Sequence, residues 1–298
     1  MSTQPTLITQ PSRTRPRLSG HRTRRWVSRR LADLLLIFLL ALILFPIFWM
    51  VVTSFKTNEE IVSSVTILPH TWRFQNYVDL WSQVNFGLYF RNSLIVCSVT
   101  TAVVTLFATF AGYALARFRF PGADTFGLAV LATQLIPGIL FLLPLYQIFV
   151  QVKRHLGLPL IGSNLGAILL YIGFYLPLSL WILRGFFANI PQDLEEAALV
   201  DGCSQFCAFW RIALPLAAPG IVATAIYVFL TAWDELLFAW VLNVKTIPVG
   251  IRLYVGQFVN RFDLMMAASV VVTIPVLLMF FLMQKQMISG LTAGAVKE

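Results

Sequence analysis

Six stretches of this chain are apolar for long enough to cross a hydrocarbon core of about 30 Å: residues 31–53, 93–114, 126–150, 165–183, 220–242 and 264–283. Most connections between them are short. Two are not. Residues 54–92 are too polar to span and too short for a domain with a sizeable core of its own, which predicts a surface loop with a short helix. Residues 191–215 form a polar island carrying carboxylates, a glycine and several aromatics. The pattern predicts an all-α polytopic membrane protein with six transmembrane helices.

Composition sharpens this reading. Of 298 residues, 58% are hydrophobic and 12% charged, with mean hydropathy +0.78. A soluble domain carries roughly twice that charge fraction. The net charge is +9, and eight arginines (Arg13, Arg15, Arg17, Arg22, Arg24, Arg25, Arg29, Arg30) precede the first apolar run. No aromatic interleaving or binding module accompanies them, so nucleic acid is not an expected partner. The positive-inside rule explains the arm better, with the N-terminus cytoplasmic. Six spans then return the C-terminus to the same side. The bias agrees: 14 basic residues fall inside (the eight tail arginines, Arg117, Arg119, Arg184, Arg211, Lys285, Lys297) and 8 outside.

This places the island in the cytoplasm and divides the chain into a tail (1–30), a six-helix domain (31–284) with an outer loop (54–92) and a cytoplasmic loop (185–218), and a C-terminal tail (285–298). The first thirty residues, rich in Pro, Ser and Thr, are expected to be disordered. The apolar run after them has no small-residue cleavage site and reads as a retained anchor.

Of the three cysteines, Cys203 and Cys207 lie one helical turn apart without a nearby histidine or third cysteine, which argues against zinc. With Cys97 they are expected to be reduced packing residues, and the three scattered histidines to be surface residues. No phosphate loop, nucleophile elbow or H-E-x-x-H pair occurs, and no catalytic residue is assigned.

The island reads PQDLEEAALVDGCSQFCAFWRIALP. Pro191 suits a first helical turn, and Asp193, Glu195 and Glu196 place negative charge at the positive end of the helix dipole. Gly202 stops that helix in a left-handed conformation, and Ser204 is placed to cap a second short helix over 204–214. Phe206, Phe209 and Trp210 on that helix are more aromatic surface than a polar connection leaves in water without a partner. From the residues alone, two readings stand: a docking knob, or an amphipathic loop on the headgroups.

The spacing is specific. Glu196-Ala197-Ala198 is followed after three residues by Gly202, after nine more by Ile212, and after one more by Leu214-Pro215. This resembles the EAA loop of permease subunits of binding-protein-dependent ABC importers. FKTNEEI, Asn76-Tyr77 and Asn92-Ser93 in residues 54–92, LIPGILFLLPLYQIF followed by LGL, and the ending GLTAGAVK resemble the carbohydrate branch, of the maltose-type MalG class. The resemblance covers nearly the whole chain after the N-terminal tail.

It implies a type I ABC importer permease fold in a bacterial-type plasma membrane. It implies as partners a second, non-identical permease, a dimer of ATP-binding subunits and an extracytoplasmic sugar-binding protein. ATP and Mg would be bound by the ATPase subunits and no cofactor by this chain. Glu196, Ala197, Ala198, Gly202, Ile212, Leu214 and Pro215 would form the ATPase-coupling joint.

Candidate pathway residues are Gln134, Pro137, Pro144, Tyr146, Trp233, Asp234 and Glu235. Prolines inside a membrane helix bend it and often border a translocation route. Asp234 lies fourteen residues from Gly220, about 21 Å along a helix at 1.5 Å per residue. Either it or Glu235 faces a polar partner or watery cavity, because lipid exposure would be costly, or the helix starts earlier and both reach the outer interface. An ion-coupled carrier using these acids, and an ABC permease for a non-sugar solute, are the alternative functions.

Overall fold

A computed structural model describes the backbone at residues 20–256 and 260–295 and side chains at 30–256 and 260–284. Residues 1–19 of the expected disordered arm, and the last three residues, lie outside this range. The chain divides into two units, Met1–Trp49 and Met50–Glu298. The first holds most of α1 (Gly20–Thr53), whose residues 31–48 are exposed on every face. An element apolar all round is at home in hydrocarbon.

In the second unit, residues 54–92 form more than a loop. Helices α2 (Asn58–Ser63) and α3 (Asn76–Gln83) fold around fully buried Leu80 and Asn76. The Asn76 amide donates to the carbonyls of Ser54 and Lys56, both at 2.9 Å. The Glu60 carboxylate accepts from the Thr66 hydroxyl at 2.9 Å and the His70 N–H at 3.0 Å. Burial pushes the Glu60 carboxyl up, yet these bonds, with His70 and Lys56 nearby, hold it below its usual range.

The framework is α4 (Phe86–Arg117) against α7 (Asn164–Ala188). Val104, Ala108, Gly112 and Leu115 bury one stripe of α4, and Ser179, Leu183 and Phe187 bury the facing stripe of α7. Their spacing of three or four residues is that of one helix face. At Gly112 the backbones come close: a Cβ there would stand 2.9 Å from the Arg184 backbone nitrogen and 3.1 Å from the Leu183 Cβ. Small residues permit such approaches in membranes. Gly112→Leu is expected to destabilise the chain by about 1–3 kcal/mol through overpacking, read as a lower melting temperature in detergent. Gly173→Ala, with open space at its Cβ, should melt like the parent.

Two predicted spans need correction. The third is not one helix: α5 (Ala123–Ala132) and the 3-10 turn Thr133–Leu135 meet the turn Gly138–Phe141 and α6 (Leu142–Leu156) at 88°. Pro137 cannot donate to the ladder, and Ile136 before it is pushed to an extended conformation (φ −85°, ψ 123°). The fifth helix does not run over 220–242. After α8 (Gln192–Val200), one continuous helix spans Gln205–Trp233, made of α9 (Gln205–Ala208), a π-helical turn Phe209–Ala213 and α10 (Leu214–Trp233). The expected separate helix over 204–214 is therefore its first part. Pro215 would clash with the carbonyl four residues back, and the wider turn before it gives that ring room.

The chain then breaks and continues through α11 (Leu237–Val241), α12 (Ile247–Arg252) and α13 (Phe262–Ala295). The backbone of α13 thus extends past the predicted sixth span into the C-terminal segment.

Candidate functional site

The island 191–215 folds as an elbow whose corner is closed by hydrogen bonds at the end of α8. Gly202, at φ +86°, donates to the Leu199 carbonyl at 3.1 Å, and the Cys203 N–H reaches the Ala198 carbonyl at 2.9 Å. These two bonds satisfy the Leu199 and Ala198 carbonyls in the way a glycine-terminated helix uses. The next helix begins at once, because the Ser204 hydroxyl accepts from the Cys207 N–H at 3.3 Å. Both the glycine stop and the serine cap lie where the sequence predicts them.

Below the elbow, Phe209 is buried, its ring 4.7 Å from that of Tyr113 and 5.5 Å from that of Phe110. Phe206 and Trp210, on the same helix, stay exposed, as do Leu194, Leu199 and Val200 on α8; Val200 is 87% exposed and Phe206 67%. The elbow therefore shows several exposed apolar side chains together with exposed Glu196 and Asp201.

Among the coupling candidates, Glu196, Ala197, Gly202 and Pro215 are exposed, and Ala198, Ile212 and Leu214 half-buried. Between Ile212 and Leu214, Ala213 is fully buried. Cys203 and Cys207 correct the sequence reading: they are joined by a disulfide, with Cα atoms 5.6 Å apart. Ser204 between them is extended (φ −74°, ψ 164°), so Cys203 leaves the helical path just ahead of α9, an arrangement that spacing alone does not reveal.

The residues that anchor the elbow carry no mark in the sequence. Glu195, not Glu196, turns inward. It accepts from Arg117 Nε at 2.7 Å and from the Tyr113 hydroxyl at 2.7 Å, and Arg117 also donates to the Ile190 carbonyl at 2.9 Å. The side chains of Arg117 and Glu195 are 7% and 11% exposed. Tyr113 and Arg117 sit four apart at the end of α4, a spacing that puts both on one face. That face and the first turn of α8 enclose a hollow of about 210 Å³ reached also by Glu196 and Gln205. Nearby, Arg184 pairs with Asp124 at 2.7 Å.

Residues 105–287, which hold this elbow and the helices that carry it, match the binding-protein-dependent transport system inner membrane component family. The chain belongs to that family. It is 35% identical over 269 residues to the diacetylchitobiose uptake system permease protein NgcG of Streptomyces coelicolor, covering 88% of this chain and 87% of that protein. It is 35% identical over 282 residues to the trehalose/maltose transport system permease protein MalG of Thermococcus litoralis, covering 92% and 99%. Its fold is that of a chain in the crystal structure of a bacterial ABC transporter involved in alginate import, with TM-score 0.72, 22% identity, and 89% and 97% covered. Family and apolar helices together make it a multi-pass inner membrane component.

The pathway candidates of this inner membrane component do not form one cluster. Gln134 is exposed beside the break at Pro137, its amide donating to the Phe174 carbonyl at 3.3 Å. It lines an open cleft of about 670 Å³ whose walls are otherwise mostly Phe, Leu, Val and Ala. Such walls offer a sugar few hydrogen bonds. Pro144 is exposed and Tyr146 half-buried on α6. Trp233 is a core residue, stacked on Phe229 at 5.4 Å with its indole nitrogen buried and unpartnered.

Asp234 is exposed just past the end of α10. Glu235 has polar partners: the Tyr171 hydroxyl at 2.5 Å and the N–H groups of Phe238 and Ala239 at 2.8 and 3.1 Å. It thereby satisfies the first donors of α11 and closes the break between the two helices.

Proposed function

We propose that this chain is a permease subunit of an ATP-driven carbohydrate importer, forming half of the translocation pathway and coupling to ATP-binding subunits through the elbow. The observation that carries the coupling role is the elbow: a corner closed by helix-end hydrogen bonds and tied by a buried ion pair to α4, holding acidic and apolar side chains outward. A solvated loop gains nothing from exposed Val200 and Phe206. A docking element does. The carbohydrate class rests on the named substrates of the similar permeases and on the resemblance of the 54–92 segment and the GLTAGAVK ending.

In this reading both termini and the elbow face the cytoplasm. Glu196, Ala197, Ala198 and Gly202 meet the ATPase, and Ile212, Leu214 and Pro215 join the elbow to α10. ATP and Mg belong to the ATPase dimer, a second non-identical permease supplies the other half of the pathway, and an extracytoplasmic binding protein delivers the sugar. Closure of the ATPase dimer moves the elbow, and through α4 and α10 switches the cavity from inward- to outward-facing. Gln134, Pro137, Pro144, Tyr146, Asp234 and Glu235 lie on elements that would border that cavity.

Native mass spectrometry of the chain extracted gently after expression with its neighbouring genes is expected to give a complex with two ATPase copies and one different membrane subunit. Uptake into ATP-replete vesicles should survive an uncoupler. A lone chain under mild extraction, with uptake that collapses on adding the uncoupler, would replace this reading by an ion-coupled one centred on Asp234.

A further inference from the structure

We infer that Cys203 and Cys207 form a reversible thiol–disulfide site that stiffens the elbow when oxidised; the functional half of this inference rests on the coupling reading above. Three observations meet here. The two residues are bonded in the structure. Both are half-buried at the rim of the elbow, so a small reagent can reach them. They also occupy a particular joint: Cys203 is the residue just past Gly202 that completes the end of α8, and Cys207 is the residue whose N–H is capped by Ser204.

When the bond is open, two points of the corner can bend, the left-handed Gly202 and the Cys203–Ser204 link into the next helix. The disulfide crosses the second point and leaves the first. Oxidation therefore narrows the motion of α8 relative to the Gln205–Trp233 helix to one residue. In a reducing cytoplasm structural disulfides are rare, and those present are commonly redox-sensing.

The chemistry is thiol–disulfide exchange with a low-molecular-weight disulfide. One protein thiolate attacks a sulfur of that disulfide, forming a mixed disulfide and expelling one small thiolate. The second protein thiolate then attacks the protein sulfur of the mixed bond and expels the other. Two electrons pass from the cysteine pair to the reagent, and the two thiol protons end on the departing thiolates or in solvent. Excess small thiol reverses both steps.

The test uses the full transport complex in proteoliposomes, equilibrated with glutathione buffers from fully reduced to fully oxidised. Differential alkylation and mass spectrometry then follow the peptide containing both residues. The expected result is a passage from two alkylated thiols to one intramolecular bond, with ATP-driven uptake falling at least threefold in the oxidised state. Cys203→Ser and Cys207→Ser should each keep the reduced rate in every buffer. Two alkylatable thiols under oxidising conditions would overturn the site itself, whatever the fate of the coupling reading. Bond formation without a change in uptake, or an equal fall in the serine variants, would overturn the stiffening role. Failure of the coupling reading shows separately, as a Gly202 variant that leaves uptake unchanged.

Discussion

Gly202→Asp is expected to abolish most ATP-driven uptake while the chain stays in the membrane at parental levels. The residue sits at φ +86° with nothing within 4 Å of where a Cβ would be. The penalty therefore comes from backbone conformation and charge and not from a clash. Aspartate enters the left-handed region more readily than most residues, so the backbone costs it about 1 kcal/mol. A carboxylate at the negative end of α8, beside Asp201, adds several tenths more. Together that is about 1.5 kcal/mol, about tenfold in any equilibrium that needs this corner.

Because asparagine tolerates left-handed backbone and lacks the charge, the expected order of uptake is Gly202 first, then Asn, with Asp and Ala below both. Uptake assays beside a membrane immunoblot read this directly. Equal rates for the Asp variant and the parent would remove the elbow from the coupling mechanism, and equal losses for Asn and Asp would shift the cause from backbone to surface.

The parts of this molecule that were legible in its sequence are those set by local chemistry. Apolar length gives four of the six spans, a glycine gives the end of α8, and a serine gives the start of the next helix; each acts within a few residues. What was not legible depends on residues far apart in the chain. Glu195 and Glu196 are adjacent, identical and both suited to a helix start, so nothing local says which one turns inward. That is decided by Arg117 and Tyr113, about eighty positions earlier.

The fifth helix shows the same limit. Its true beginning at Gln205 lies in sequence polar enough to read as loop, and its end at Trp233 lies in sequence apolar enough to read as span. Glu235 stops it by serving Tyr171 and α11 together. The Cys203–Cys207 bond was missed for a related reason. A four-residue spacing fits a plain helical turn, and the extended Ser204 inside the segment is what takes Cys203 off that turn.

Arg117→Met should be the most damaging single substitution to stability. It leaves the Glu195 carboxylate, 11% exposed, with only the Tyr113 hydroxyl for company. Removing one member of a buried pair typically costs about 3–5 kcal/mol, because the remaining charge stays desolvated without its partner. Glu195→Gln should cost less, since Arg117 retains the Ile190 carbonyl and an amide can still accept from it. Tyr113→Phe removes a single hydrogen bond to a charged acceptor, on the order of 1.5–3 kcal/mol.

The double variant Arg117→Met/Glu195→Gln should recover part of the loss, for no unpaired charge is left behind. Thermal melting in detergent of all four variants completes the cycle, and uptake measured beside it gives the loss its meaning. If Arg117→Met melts early, the pair holds the fold of the elbow. If it melts like the parent yet loses uptake, the same pair transmits motion from α8 to α4 without holding anything together. If melting and uptake are both unchanged, the anchor lies instead in the aromatic contact of Phe209 with Tyr113.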